Sequence, residues 1–405
     1  MIYRFSHPEW LIDVPKPDLE AANGNIIIYG TEMCGALAAH ALNQKGLDFL
    51  AYADSDERKH GKDYYGHTIL APNELQERYP DVIILIASSA YKAIKEKLIF
   101  LGFSDTQIFP CFSIFDGLDL SGFQSPWSHM HIYRNLKQHF ITVLLHLGMP
   151  MEGFVNTASL ILTDKCSLRC KGCSRRIPEL ENPSDYDADK MLQSIQNIMK
   201  AGFVIDVLRL TGGEPFLYKP LSKLINGLLK HPKINNIHVV TNCTLLPSDE
   251  MLRAFQNNRV CIRMSNYGEL SVKHGELIAL FEKNNIHYED TKYSFWYEIL
   301  EVNQQLSPEQ LQSRFYNCLH HMRILRILED KAYICDPALL TAQRGWAIIP
   351  EQETVDLTDT PDCIKRKLSD LLNRKEYHSG CRYCFISSEI ENERFRRIPV
   401  AEQLP

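Results

Sequence analysis

The sequence predicts an α/β protein made of more than one domain. Two stretches, at about residues 25–110 and 156–285, alternate short apolar strands with helices, which is typical of parallel sheets with crossover helices. With 405 residues, the chain is longer than a domain with a single hydrophobic core usually is. We therefore expect two or three domains of about 100 to 200 residues.

Composition narrows the class of protein. Hydrophobic residues make up 45% of the chain and charged residues 23%, which is typical of a globular protein. The formal charge is −6, so we do not expect the positively charged surface of a protein that binds nucleic acid or anionic membranes. No basic, apolar leader opens the chain, and no apolar run is long enough for a membrane span. We therefore expect a cytoplasmic location, no nucleic-acid partner and no membrane span. Twelve cysteines in such a chain favour metal binding over disulfides.

The first alternation of strands and helices, at about residues 25–110, predicts a doubly wound, Rossmann-like parallel sheet. The bend Gly30-Thr-Glu-Met-Cys-Gly35 lies between the first strand and its helix, where backbone N–H groups can face a phosphate. Glu32 occupies the place of the second glycine in the dinucleotide fingerprint, so the fingerprint is incomplete. Asp54 ends the next strand, where a ribose-binding acid would lie, and a solvated loop aspartate remains the alternative. We predict a nucleotide or nucleotide-sugar ligand for this domain.

A histidine-containing segment separates the two stretches of alternating strands and helices. Its apolar spacing predicts a helical linker at residues 121–150. The histidines do not share one helix face, so structural or exposed roles are predicted rather than metal ligation. They are His129, His131, His139 and His146.

The second alternation of strands and helices, at about residues 156–285, predicts a complete or partial β/α barrel of the TIM type. In such folds the functional residues lie at the carboxyl ends of the strands. Four candidate positions each follow a predicted strand: Cys166, Gly212, Thr241 and Ser265.

Two of these strand ends carry chemical motifs. The spacing C-x-x-x-C-x-x-C at Cys166, Cys170 and Cys173 can hold three irons of a cubane and leave the fourth without a protein ligand, although zinc or unrelated buried cysteines stay open. The motif Leu210-Thr-Gly-Gly-Glu-Pro215 offers glycines for close approach and a carboxylate for an ammonium group. Its alternative is a glycine turn before a helix.

Together these motifs resemble the radical S-adenosylmethionine (SAM) superfamily, over about residues 157–285. The resemblance implies a [4Fe–4S] cluster, bound SAM, reductive cleavage to a 5′-deoxyadenosyl radical, and an external electron donor such as flavodoxin or ferredoxin. It also implies that the glycine motif holds the methionine amino group and that two later strand ends face the ribose and carboxylate. The cofactor-binding residues so implied are Gly212, Gly213, Glu214, Pro215, Thr241, Asn242, Ser265 and Asn266.

The chain departs from that family at two positions. Gly172 stands before the third cysteine, where an aromatic residue is usual, and Cys243 replaces the glycine of a common TNG sequence. We expect Cys243 to be a packing residue rather than a further ligand.

A second group of cysteines follows at Cys318, Cys335, Cys381 and Cys384. A β-hairpin turning at residues 329–331 would bring the first two together, and four thiolates could close a [4Fe–4S] cluster or a zinc site. The layout resembles twitch and SPASM auxiliary domains, which implies a second [4Fe–4S] cluster in a small α+β domain.

We assign structural rather than catalytic roles to the remaining histidine and cysteine candidates. His320 and His321 adjoin Cys318, where packing or a hydrogen bond to cluster sulfur is favoured over catalysis. The four cysteines without partners at ligand spacing are interpreted as ordinary buried thiols. They are Cys34, Cys111, Cys261 and Cys363.

The predicted function is hydrogen abstraction from a small-molecule or nucleotide-linked substrate, with a sugar as first choice and oxidation aided by the auxiliary cluster. A peptide-modifying enzyme and a non-catalytic iron–sulfur scaffold are the alternatives. The predicted organisation has four parts: 1–120, Rossmann-like; 121–150, linker; 151–310, radical SAM partial barrel; and 311–405, auxiliary-cluster domain.

Overall fold

A computed structural model of the chain describes most of its residues and divides them into two compact units, Met1–Met151 and Glu152–Pro405. The predicted linker histidines, together with His320 and His321, lie outside the described residues. The described residues are 14–88, 90–115, 117–123, 132, 136, 140, 143–144, 147, 151–298, 300, 305–318, 324–384 and 397–404.

The first unit contains a sheet flanked by helices. Its strands are β1 (Ile26–Tyr29), β2 (Ala51–Ala53), β3 (Asp63–Tyr64), β4 (His67–Leu70), β5 (Ile83–Ile86) and β6 (Ile108–Pro110). Its α-helices are α1 (Leu19–Ala22), α2 (Met33–Gln44), α3 (Leu75–Arg78) and α4 (Tyr91–Phe100).

The strand order in this sheet is β3-β4-β2-β1-β5-β6. The pairs that involve β1, β2, β5 and β6 are parallel, as the alternation of strands and helices predicts. Among the described strands of this sheet, only β3 and β4 pair in the antiparallel direction. Strand β1 is buried along its whole length because helices cover both faces of such a sheet.

The second unit contains a larger sheet. Its strands are β7 (Phe154–Thr163), β8 (Val204–Gly212), β9 (Ile234–Thr241), β10 (Val260–Asn266), β11 (Tyr288–Lys292), β12 (Trp296–Tyr297), β13 (Ile324–Leu328), β14 (Lys331–Tyr333), β15 (Thr354–Asp356) and β16 (Arg397–Ile398). Its α-helices are α5 (Ala188–Lys200), α6 (Leu221–Leu228), α7 (Asp249–Phe255), α8 (His274–Lys283), α9 (Pro308–Asn317), α10 (Asp336–Gln343) and α11 (Pro361–Leu372).

Eight of these strands form one sheet in the order β11-β10-β9-β8-β7-β13-β14-β15. The strands from β11 to β13 in that order pair in parallel, and the mixed α/β fold with parallel sheets is thereby confirmed in both units. All ten residues of β7 are buried, since the strand lies in the interior of the sheet with β8 and β13 on either side.

Local signals account for the helix starts. The Asp187 side chain accepts hydrogen bonds from the first backbone N–H groups of α5, and Ser307 begins α9 with a capping box. Pro308 and Pro361 occupy first-turn positions of α9 and α11, where the missing N–H costs nothing.

The hairpin predicted at residues 329–331 is confirmed by the antiparallel pairing of β13 with β14. Strand β13 also pairs in parallel with β7, and the side chains of α10 and α11 join the same hydrophobic core as those of β7 and β9. The separation of residues 311–405 as a domain of its own stays a prediction. Within the described residues, no helix has both the length and the apolar character needed to cross a bilayer.

Candidate functional site

Three thiols lie together on the loop after β7, named here the cysteine loop (residues 166–173). Burial raises the pKa of the Cys166 thiol to about 11, and the neighbouring thiols of Cys173 and Cys170 are close enough to contribute to that rise. The Asn242 side chain points an N–H at Cys166, with 3.7 Å between Nδ2 and Sγ. Thiols, with an N–H directed at one sulfur, are the type of donor that iron–sulfur clusters and zinc both prefer.

The two glycines of the GGEP motif lie directly against the entry to the cysteine loop. A Cβ on Gly212, which adopts φ +138, would collide with the Thr163 carbonyl oxygen, and one on Gly213 would collide with the carbonyl oxygen of Lys165. Gly213 N donates to Thr163 O at 2.7 Å, and Glu214 N donates to Lys165 O at 2.9 Å. The close approach predicted for these glycines therefore joins β8 to the cysteine loop.

Glu214 is completely buried and connects the ends of two neighbouring strands. Its Oε1 accepts from Phe216 N at 3.0 Å and from Thr241 Oγ1 at 2.9 Å, while Oε2 accepts from Asn242 N at 2.8 Å. Burial raises the pKa of Glu214 to about 7, against the opposing effect of these hydrogen bonds. The carboxylate thus fixes the end of β9 against the end of β8, and Oε2 keeps acceptor capacity for one further donor.

The turn after β9 keeps a conformation that favours glycine. Cys243 adopts φ +62, and its N–H donates to Thr241 Oγ1 at 3.1 Å. Its side chain is buried in the hydrophobic core, as expected for a packing residue. Asn242, one position earlier, also donates to Ser167 Oγ at 3.0 Å, which ties this turn to the cysteine loop.

The end of β10 carries Ser265 and Asn266, which the structure places beside an aromatic cluster. Asn266 Nδ2 lies 3.1 Å from His274 Nε2, and Ser265 O accepts from Ser271 Oγ at 3.3 Å. The ring of Tyr267 lies within electrostatic range of two cysteine-loop thiols. That ring also packs against Tyr293 and Trp296, at 5.8 and 5.3 Å between centroids. Sequence reasoning missed this cluster because its members share no motif.

A second group of thiols, named here the four-cysteine site, comprises Cys318, Cys335, Cys381 and Cys384. Cys318 follows α9, Cys335 begins α10, and the other two belong to or follow the 3₁₀ helix Ser379–Tyr383. The other three thiols all contribute to raising the pKa of Cys335, with burial as the larger cause. The structure therefore brings together the four cysteines that the sequence spacing grouped.

Close packing and two basic side chains surround the four-cysteine site. A Cβ on Gly380 would meet Ala338 N at 2.5 Å, so a glycine is required where the 3₁₀ helix touches the start of α10. The buried Arg314 donates from NH1 to the carbonyl oxygens of Cys381 and Cys384. His378, which sequence reasoning missed, places Nε2 at 3.6 Å from the sulfur of Cys335. Burial lowers the pKa of His378 to about 3, so the ring is neutral at ordinary pH.

Two of the remaining cysteines differ from expectation. Cys34 and Cys111 are buried, as predicted, but Cys261 and Cys363 are only half-buried. Cys261 lies on β10, whose residues alternate in burial, and the first-turn Cys363 of α11 points its thiol at Asp359 Oδ2, 3.4 Å away. No disulfide joins any of the twelve cysteines, all of which lie in the described part of the chain.

A site for a single metal ion needs several ligating side chains that converge on one point. Across the described ranges, no group of three or more His, Cys, Asp or Glu side chains is placed to hold one metal ion. A cubane makes a different demand, because each cysteine thiolate binds its own iron atom.

The predicted nucleotide-binding turn of the first unit is held by its own side chains. Asp54 Oδ2 accepts from Thr31 N at 3.2 Å, from Thr31 Oγ1 at 2.5 Å and from Lys59 Nζ at 3.1 Å. Burial opposes ionisation, but these hydrogen bonds and one from the backbone of Asp56 lower the pKa of Asp54 overall. Glu32 pairs with the same Lys59 at 3.2 Å. Asp54 is thus not a solvated loop residue, and in this structure it binds the turn.

Two family models match the chain. The model of the radical SAM superfamily matches residues 160–266, and a model described as C2185-like, N-terminal, matches residues 22–109. The first match covers the cysteine loop, the GGEP motif and the ends of β9 and β10.

Curated relatives with partial matches include GTP 3′,8-cyclases. The protein of Syntrophomonas wolfei subsp. wolfei is 31% identical over 112 residues, which are 27% of this chain and 34% of that protein. The Clostridium acetobutylicum protein is 38% identical over 90 residues, which are 21% of this chain and 27% of that protein. The chain spans 34% of the length of the first relative and 27% of the second.

Solved structures with partial likeness include BtrN in complex with AdoMet and 2-DOIA, at 10% identity and a TM-score of 0.37 over 55% of this chain and 83% of that chain. Streptococcus suis SuiB bound to S-adenosylmethionine has 13% identity and a TM-score of 0.32 over 52% of this chain and 67% of that chain.

The family match and the geometry of the matched residues agree. The matched segment contains the three-thiol loop, the two glycines packed against it, and the buried glutamate that joins two strand ends. A [4Fe–4S] cluster and SAM are the cofactors that this superfamily implies. Residues 160–266 of this chain thus form a radical SAM superfamily domain.

Proposed function

We propose that this chain is a radical SAM enzyme that abstracts hydrogen from a sugar or a nucleotide-linked sugar. The observation that carries the proposal is the cysteine loop itself, because three thiols meet there beside the GGEP motif and the ends of β9 and β10. Three thiolates for a cubane leave one iron open to SAM. When bound, this pair of cofactors supplies an electron and a 5′-deoxyadenosyl radical for hydrogen abstraction.

The protein's own residues position these cofactors. Cys166, Cys170 and Cys173 would hold the cluster, and Gly212 to Pro215 would lie near the amino group of SAM. Thr241, Asn242, Ser265 and Asn266 would face its ribose and carboxylate. Glu214 follows β8 and holds its end against the end of β9, because its carboxylate accepts from Thr241 Oγ1 and Asn242 N. An external donor such as flavodoxin or ferredoxin would supply the electron.

The four-cysteine site would hold a second [4Fe–4S] cluster in a twitch-like or SPASM-like auxiliary domain. Its support is a set of four thiols that leaves no coordination site for SAM, in a mostly buried environment. When bound there, such a cluster supplies an acceptor for one electron, so that loss of a hydrogen atom, a proton and an electron makes a two-electron oxidation.

The first unit would contribute a Rossmann-like domain that binds a nucleotide or nucleotide sugar. The parallel strand β1, the turn from Gly30 to Gly35 and the helix α2 have the order of such a site. The partial relatives are named for GTP, which adds support for a nucleotide-linked substrate.

The experiment is anaerobic reconstitution, followed by measurement of 5′-deoxyadenosine with dithionite and SAM. Each preparation is then incubated with a panel of nucleotide sugars, free sugars, GTP and a ribosomally made precursor peptide. Cys363→Ala is a matched control, since Cys363 belongs to neither cysteine site. Absence of 5′-deoxyadenosine would identify a scaffold, and turnover of the peptide alone would identify a peptide-modifying enzyme.

A further inference from the structure

The segment 397–404 lies antiparallel to the cysteine loop, although the two are far apart in sequence. Lys171 N donates to Glu402 O at 2.7 Å, and Leu404 N donates to Arg169 O at 2.8 Å. The residues opposite each other between these two bonds are Cys170 and Gln403. A predicted cluster ligand therefore faces a glutamine from another part of the chain.

The carboxamide of Gln403 contacts the cysteine loop through both of its ends. Its Oε1 accepts from Arg169 N at 2.8 Å, and its Nε2 donates to the sulfur of Cys170 at 3.2 Å. Nε2 also donates to Ala401 O at 2.6 Å. These partners fix the orientation of the amide, because a flipped group would direct NH₂ at the Arg169 N–H and an oxygen at the Ala401 carbonyl.

A glycine in the cysteine loop makes room for this segment. A Cβ on Gly172 would collide with Cδ1 of Ile398 and would meet Trp296 at 3.5 Å. Ile398 and Trp296 are paired residues of β16 and β12. The side chain missing at position 172 is thus replaced by apolar groups from two other strands, and these place the segment against the loop.

The hydrogen bond from Gln403 to the Cys170 sulfur is shielded from solvent, because Cys170 is buried. Cys170 is only 8% exposed. Hydrogen bonds to the ligating sulfurs are one of the levers that set cluster potentials.

We propose that Gln403 is a positioning residue for the cysteine loop, and that its Nε2–H···Sγ bond to Cys170 raises the reduction potential of the cluster held there. The inference rests on the proposed function, since it requires a cluster at the cysteine loop. A donated hydrogen bond withdraws negative charge from the thiolate, and the reduced cluster carries one more electron. The bond therefore favours the reduced state.

The test compares Gln403→Leu and Gln403→Glu with the wild-type chain in an EPR-monitored anaerobic redox titration, following the signal that changes on adding SAM. Gln403→Leu removes both contacts. Gln403→Glu keeps the shape and the acceptor for Arg169 N, but places a carboxylate oxygen against sulfur. Glu402→Gln is the matched control, because the side chain of Glu402 is exposed and forms a 3.5 Å ion pair with the exposed Lys171.

We expect both Gln403 variants to retain the wild-type iron content and to titrate at a more negative midpoint, with the larger shift in Gln403→Glu. Glu402→Gln should titrate like wild type. Equal midpoints in Gln403→Glu and wild type at equal iron content would overturn the inference, and so would loss of the cluster from both Gln403 variants. A wild-type chain without a SAM-responsive cluster would instead show that the proposed function is wrong, and the inference would fall with it.

Discussion

The two cysteine sites of this chain are built in different ways. The cysteine loop collects three thiols within eight consecutive residues at the end of one strand, and two of the three are half-buried. The four-cysteine site takes its thiols from three separate elements, and three of the four are buried.

The difference separates a site with partly exposed thiols from a site that is enclosed by packing. A short loop at the carboxyl end of a strand leaves one side of its ligands accessible to a cofactor and substrate. A site assembled between α9, α10 and a 3₁₀ helix is closed by packing, as the contact of Gly380 with Ala338 shows. We therefore expect the first site to bind SAM and the second to exchange only electrons.

The largest expected effect comes from removing one ligand of the cysteine loop. Cys166→Ala, Cys170→Ala or Cys173→Ala should reduce 5′-deoxyadenosine to the uncatalysed background, because three thiolates are needed to present the open iron. Iron should fall from about eight to about four atoms per chain if both sites hold cubanes. Normal 5′-deoxyadenosine from any one of these variants would contradict the assignment, and Cys363→Ala provides the control.

The second prediction concerns the four-cysteine site. The double variant Cys381→Ala, Cys384→Ala should still cleave SAM but should fail to release oxidised product, because the electron acceptor is lost. Product analysis and 5′-deoxyadenosine yield are measured on the same reaction. Stoichiometric zinc in the anaerobically purified protein, or unchanged product from a stable double variant, would defeat the electron-acceptor role and leave the radical SAM domain unaffected.

The third prediction tests Glu214. Glu214→Ala leaves the donors of Phe216, Thr241 and Asn242 without their acceptor, and each unsatisfied buried group costs about 1–3 kcal/mol. We expect weaker SAM binding and a lower Tm with the iron content unchanged, measured by calorimetry, thermal unfolding and iron analysis. The exposed Glu269→Ala is the control. Loss of iron would show that Glu214 supports the cluster directly.

Glu214 should also make stability depend on pH. Burial raises its pKa from 4.5 to about 7, so between these values the folded state binds more protons than the unfolded state. Stability from this group is fully present below about pH 4.5 and is lost as the pH rises through about 7. Thermal unfolding of Glu214→Gln over that range should lack this component, and parallel profiles for variant and wild type would contradict it.

The smallest expected effect is in the first unit. Asp54→Asn should loosen the turn at Thr31, because the amide replaces one carboxylate oxygen by a donor that faces Lys59. We expect weaker binding of a nucleotide or nucleotide sugar with unchanged 5′-deoxyadenosine yield, measured by calorimetry with Asp81→Asn as the exposed control. No binding of any nucleotide by the wild-type chain would leave the unit as a docking or dimerisation module.

Sequence patterns predicted those features that depend on neighbouring residues. The strands β7 to β10 and their helices follow from periodicity, and the ends of these strands carry the motifs. The β3–β4 hairpin was missed, because strands of two and four residues, Asp63–Tyr64 and His67–Leu70, are too short to show a period.

Contacts between distant residues account for the rest of what was missed. His378 reaches Cys335 across 43 positions, and Gln403 reaches Cys170 across 233 positions. No spacing rule joins such pairs, since folding alone brings them together. Gly172 illustrates the point, because a Cβ there would meet Ile398 and Trp296, two residues that are distant from it in the sequence.

The sequence separation of Cys170 and Gln403 also sets an order of events during synthesis. A ribosome that adds about 5–20 residues per second needs roughly 12 to 47 s to cover the 233 positions between them. During that interval the nascent chain already contains all three thiols of the cysteine loop but not the glutamine that contacts it. A cluster loaded onto the cysteine loop in that interval would therefore be loaded before Gln403 contacts Cys170.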